Sequence, residues 1–126
     1  MPSNKIASFT KLNAWSHSHK LVLAVFEVCK NLQQRDVVRQ QIERAALSIT
    51  SNIAEGFGRQ SLPDKKHFYI MARGSAYELQ NQLLVARDTG KLTTVKFENL
   101  AHLSLNSIRL IHGLIRSLQK ANKANS

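Results

Sequence analysis

At 126 residues the chain is long enough for one domain with a real core and too short for two. Its 18 Lys and Arg against 8 Asp and Glu leave a formal charge of +10, which points to an anionic partner, with nucleic acid the first candidate. A single Cys, Cys29, excludes an intramolecular disulfide framework and suits a reducing cytoplasm, while the longest apolar run, Leu21–Phe26, is far too short to span a bilayer.

Only helical periodicity runs along the chain. The first helix is expected over roughly Lys11 to Leu32, where Ala14, Ser18, Leu21, Val25, Val28 and Leu32 form one stripe flanked by Trp15, Val22, Phe26 and Cys29. Asp36 is placed to cap a second helix, whose stripe is Val38, Ile42, Ala45, Ile49 and Ile53. Pro63 and its polar neighbours mark the main loop, with Asp64 able to cap the helix that follows. That third helix carries Phe68, Ala72, Ser75, Leu79, Leu83 and Ala86 and ends near Gly90, a C-cap residue. The fourth carries Leu100, Leu103, Ser107, Ile111, Leu114 and Leu118. The expected fold is an all-α, antiparallel up-and-down four-helix bundle, one domain over 1–126 with a short disordered N-terminus and a polar, fraying tail from Lys120. With no apolar leader pattern in the opening residues, a cytoplasmic location without membrane contact is expected.

The segment SITSNIAEGFGR, Ser48 to Arg59, continues the second apolar stripe and so reads as helix. On its other side Arg44, Ser48, Ser51 and Glu55 repeat at spacings of four, three and four, putting small hydroxyls between an Arg and a carboxylate. Such a face admits a close neighbour, and Glu55 is placed to pair with an Arg across the contact. Gly56 and Gly58 let the helix end, because glycine reaches positive φ without penalty, and Arg59 complements the carbonyl end. A phosphate cradle needs its glycines at the start of a helix, and these close one. In the third helix Ile70, Tyr77 and Leu84 recur every seven residues, about 140° from the core stripe. That second seam fits a partner helix, the alternative being scattered surface hydrophobes.

Catalytic patterns are weak. Ser48, Ser51 and Ser75 are nucleophiles only beside a His base, and Glu55 with Glu78 fits an ion-pair network with Arg44, Arg59 and Arg73 better than an acid–base pair. His17 and His19 lie two apart, not at the i, i+4 spacing of a helical zinc site, and His67, His102 and His112 are isolated. No enzymatic activity, cofactor or metal is expected. The basic charge does have a pattern: Arg109, His112, Arg116, Lys120 and Lys123 fall within about 60° of the fourth helix's circumference, opposite its apolar stripe. The ridge is either a polyanion surface or a solvated face complementing the helix's negative end. With few aromatics off the apolar stripes, contact to RNA or DNA through the backbone is favoured over sequence reading.

The segments QQIERAALSITSNIAEGFGRQS and HFYIMARGSAYELQNQLLVARDTG, with the earlier LNAW and LVLAVFEVCK, resemble the signature of a bacterial four-helix bundle family, the 23S ribosomal RNA intervening-sequence proteins. These are relatives of the accessory variability determinant of diversity-generating retroelements. The resemblance runs from the first helix through the third and is weakest in the fourth. It implies a barrel-like homopentamer, a nucleic-acid partner and, from the retroelement relatives, a reverse transcriptase as protein partner. Two functions follow as expectations: a non-catalytic, homo-oligomeric protein that binds structured RNA or an RNA–DNA intermediate through phosphates, or a protein-interaction scaffold or accessory subunit. Arg44, Ser48, Ser51, Glu55, Ile70, Tyr77 and Leu84 are then the candidate subunit contacts.

Overall fold

The computed structural model describes residues 8–125. After a 3-10 turn over Ser8–Lys11 come four helices: α1 (Asn13–Cys29), α2 (Val37–Phe57), α3 (Leu62–Asp88) and α4 (Thr94–Asn125). Each packs on its neighbours in sequence and α1 closes on α4, so the four share one core. Leu21, Val25, Ile42, Ile49, Ile53, Leu79, Leu83, Leu100 and Ile111 fill it, all fully buried. Ala45 and Ala46 on α2 and Ala72 and Ala76 on α3 are all buried in that core, small side chains that let this antiparallel pair approach closely. The two serines in the apolar stripes of α1 and α4 satisfy each other: Ser18 Oγ and Ser107 Oγ lie 2.6 Å apart, buried.

Helix ends follow local chemistry. The Asp36 carboxylate accepts from the Val38 and Arg39 N–H groups at 2.9 and 3.3 Å and caps α2 as expected. Its second oxygen takes Lys91 Nζ from the α3–α4 turn, tying two loops together. The Lys91 hydrogen bond holds the Asp36 carboxyl below its usual range, helped by the two N–H donors and opposed by partial burial. At the end of α3, Gly90 has φ +77, the Gly90 N–H reaches Arg87 O at 3.1 Å and the Lys91 N–H reaches Ala86 O at 2.8 Å, a Schellman closure that only glycine adopts without strain.

Four expectations are corrected. Helix one is shorter than Lys11 to Leu32: Leu12 is extended, and after Cys29 the chain tightens into three-residue turns that still bring Leu32 onto the core. Pro63 is not in a loop but in the first turn of α3, where its missing N–H costs nothing, and Ser61 rather than Asp64 is the cap, accepting from the Asp64 N–H at 3.2 Å. Gly58 has φ −78, so no left-handed turn ends α2; Lys65 Nζ instead caps its carbonyls, 2.7 Å from Phe57 O. The polar tail from Lys120, where fraying is expected, forms the last turns of α4 through Asn125. The disorder expected at the N-terminus falls on residues 1–7, outside the described residues, as does Ser126.

Candidate nucleic-acid interface

The fourth helix turns its apolar stripe inward, with Leu100, Ser104, Ser107, Ile108, Ile111 and Ile115 buried. The 3.6-residue repeat then carries Arg109, Arg116, Lys120 and Lys123 to the outside, where all four are exposed. Arg109 is steadied by a 2.6 Å hydrogen bond from Nη2 to Asn106 Oδ1 one turn back. Arg116, Lys120 and Lys123 rim a shallow hollow over Gly113 and Ser117, whose missing or small side chains leave room between the cations.

His112 behaves differently from the rest of the ridge. It is half-buried toward α3, and its Nδ1 lies 3.4 Å from Arg73 Nη1. A guanidinium has no acceptor, so Nδ1 accepts and the ring proton sits on Nε2. This contact shows what a reading of single helices misses. Gln80 Nε2 donates to Ser104 Oγ at 3.1 Å, and Lys66 shares a hollow with Leu118 and Gln119, so α3 and α4 run antiparallel with Lys66, Arg73 and Gln80 all at their junction. Lys66 and Arg73 thus form a second cationic row beside the ridge. Their spacing of seven in sequence was the available signal, visible only once α4 is laid against α3.

Five of the eight carboxylates pair with a Lys or Arg elsewhere: Glu27 with Lys30, Asp36 with Lys91, Glu43 with Arg39, Glu55 with Arg59 and Asp88 with Arg87. None of these pairs involves Arg109, Arg116, Lys120, Lys66 or Arg73. Toward the other end of the α3–α4 junction the surface becomes apolar, a groove lined by Gln80, Leu83, Leu84, Phe97, Ala101 and Leu105. The heptad seam lies alongside, with Ile70, Tyr77 and Leu84 at 39, 51 and 41% exposure.

The α2 face divides. Ser51 and Arg44 are exposed, the latter donating to Gln41 Oε1 at 3.2 Å. Ser48 is half-buried and already bonded within the chain, to Ser75 Oγ at 2.7 Å and to Asn52 Nδ2 at 3.1 Å. Glu55 pairs with Arg59 one turn on, at 3.6 Å. The histidines are dispersed: His17 meets Asn106 at 2.9 Å, His19 stacks on Trp15 and His67 meets the Phe68 ring edge-on. Cys29 is buried beside Glu43, and burial first, then that carboxylate, push its thiol up to about 11. Among the described residues no group of His, Cys, Asp or Glu is arranged to hold a metal ion, and no helix is long and apolar enough to cross a membrane.

The sequence model of the 23S rRNA-intervening sequence proteins matches residues 10–113. The chain belongs to that family. In fold it is similar to the crystal structure of a protein of unknown function from the S23 ribosomal protein family of Bacteroides thetaiotaomicron, with a TM-score of 0.74 over 81% of this chain and 97% of that one at 24% identity. No curated protein matches significantly. The family match ends at Gly113 and stops short of Arg116, Lys120 and Lys123. Three of the ridge's five residues therefore lie outside the matched region, and only Arg109 and His112 fall within it.

Proposed function

We propose that the protein is a non-catalytic, homo-oligomeric nucleic-acid-binding protein that holds structured RNA, or an RNA–DNA intermediate, by its phosphates through the outer face of α4. The observation that carries this reading is the concentration of exposed cations on one face, without carboxylate partners for Arg109, Arg116 and Lys120, in a chain whose acids elsewhere are largely neutralised in pairs. Repetition around an oligomer multiplies that charge and turns weak contacts into avidity. Shape and backbone dominate the recognition, because phosphate contacts position a nucleic acid without reading its sequence.

Replacing Arg109, Arg116, Lys120 and Lys123 together by Gln removes the face. Weakened RNA and DNA binding is the expected result, while Lys11, Lys20, Lys30 and Arg35, all exposed and none of them on α4, serve as a charge-matched control. Equal losses from both sets would reduce the reading to net charge alone.

The apolar groove over Leu84, Phe97 and Leu105 supports a second reading, an accessory subunit that docks a protein such as a reverse transcriptase. Retention of one protein partner after nuclease treatment would favour it over nucleic-acid binding.

A further inference from the structure

We infer that the polyanion held by this surface is double-stranded, with one strand's phosphates meeting the α4 row and the other strand's meeting Lys66 and Arg73 of α3. The inference rests on the nucleic-acid reading above. Its basis is the juxtaposition of two cationic rows on antiparallel neighbours, fixed in register by the Arg73–His112 and Gln80–Ser104 contacts. Packed helices hold their axes about 8–10 Å apart. The α4 row from Arg109 to Lys123 runs about 21 Å along its helix, and Lys66 to Arg73 covers about 10 Å beside it. A duplex presents two lines of phosphate across a narrow groove, about 6 Å wide in the B-form minor groove and narrow again in the A-form major groove. Long side chains on adjacent helices span that separation, one row to each strand.

A single strand needs something else. Sites built for it pair one basic track with aromatic faces on which successive bases stack. Among the described residues Tyr77 is the one exposed Phe, Tyr or Trp, a turn from Arg73, and a lone ring of that size offers no succession of platforms. The carboxylates of α3 and α4 do not interrupt the rows: Asp64 lies on the far side of its helix from Lys66, Glu78 lines a hollow with Arg44 and Ser48 on the α2 side, and Asp88 and Glu98 lie at the other end of the junction. His112 stands between the rows, its Nδ1 3.4 Å from Arg73 Nη1.

Fluorescence anisotropy with RNA and DNA duplexes of about two helical turns, and with their separated strands, tests the inference at fixed salt. The duplexes should bind more tightly than the strands, and K66Q/R73Q should weaken duplex binding by roughly tenfold while changing single-strand binding little. The pair K11Q/K20Q removes the same charge and should leave the preference in place. Tighter binding of the RNA duplex would identify the A-form as the partner; equal binding of both duplexes would identify the paired strands themselves. Lys66→Glu, at the rim of the junction, carries the same expectation should the half-buried Arg73 prove necessary for folding. Single strands binding as tightly as duplexes, or K66Q/R73Q and K66E behaving like K11Q/K20Q, would overturn the inference. The α4 reading would survive that result if the four-residue α4 variant still lost affinity, and would fail separately if it did not.

Discussion

Gly56 closes α2 against α3 with no room for another atom. A Cβ built there would lie 2.7 Å from Tyr69 Cε1 and 3.0 Å from the Phe68 Cβ, and the Tyr69 ring is itself buried at 2% exposure, so it has nowhere to retreat. Gly56→Ala should therefore destabilise by about 1–3 kcal/mol, the usual cost of overpacking. Gly113 is the contrast. It sits inside α4, where a Cβ would meet only Arg116 Nη2 at an ordinary 3.8 Å, so Gly113→Ala should stabilise by about 0.5–1 kcal/mol through helix propensity. Opposite signs in thermal melts of the two variants are the expected outcome. Asp36 supplies a pH dependence at the same scale. Its folded carboxyl lies below the unfolded value of about 3.9, so its contribution to stability is complete above that pH and disappears as pH falls through the folded value. Asp36→Asn keeps a good helix cap but loses the Lys91 pair. Its melting temperature should fall below wild type at neutral pH and converge with it in acid.

At the scale of elements, signals that act within a few residues were legible. The Asp36 cap, the Gly90 closure and the four apolar stripes each depend on local spacing, and each helix formed where its stripe lay. Pro63 illustrates the ambiguity of such signals, since proline with polar neighbours describes a loop and a helix's first turn equally well; Ser61 decides between them by capping. Interhelical facts were not legible. Ser48 reads as part of a subunit-contact face until Ser75, 27 residues on, takes its hydroxyl, and the Lys66–Arg73 row has no meaning until α4 lies against it. The heptad seam of α3 carries its own test. Tyr77→Glu with Leu84→Glu places two charges on an exposed apolar strip, which a folded monomer tolerates and a packed subunit contact does not. Light scattering should report a wild-type mass well above the 14.2 kDa chain and a variant mass close to it. A wild-type mass at the monomer value would remove the seam's role.

The whole molecule is a bundle with unlike sides. Its core and turns are held by short-range packing and caps, its acids are largely paired, and one lateral junction, α3 with α4, carries cations toward one end and an apolar groove toward the other. Ile70 lies between Lys66 and Arg73 on one face of α3, so an oligomer that leaves both cations to a polyanion makes its contact toward the groove end, through Tyr77 and Leu84. The central claim is that phosphates meet the outer face of α4, and the salt dependence of binding addresses it most directly. Plotting log K against log salt for wild type and for the variant with Arg109, Arg116, Lys120 and Lys123 replaced by Gln should give a shallower line for the variant, by roughly 0.7–0.9 per lost phosphate contact and hence about 3 when all four contacts are lost. The same slope for both proteins, with fold and oligomer intact, would contradict the account.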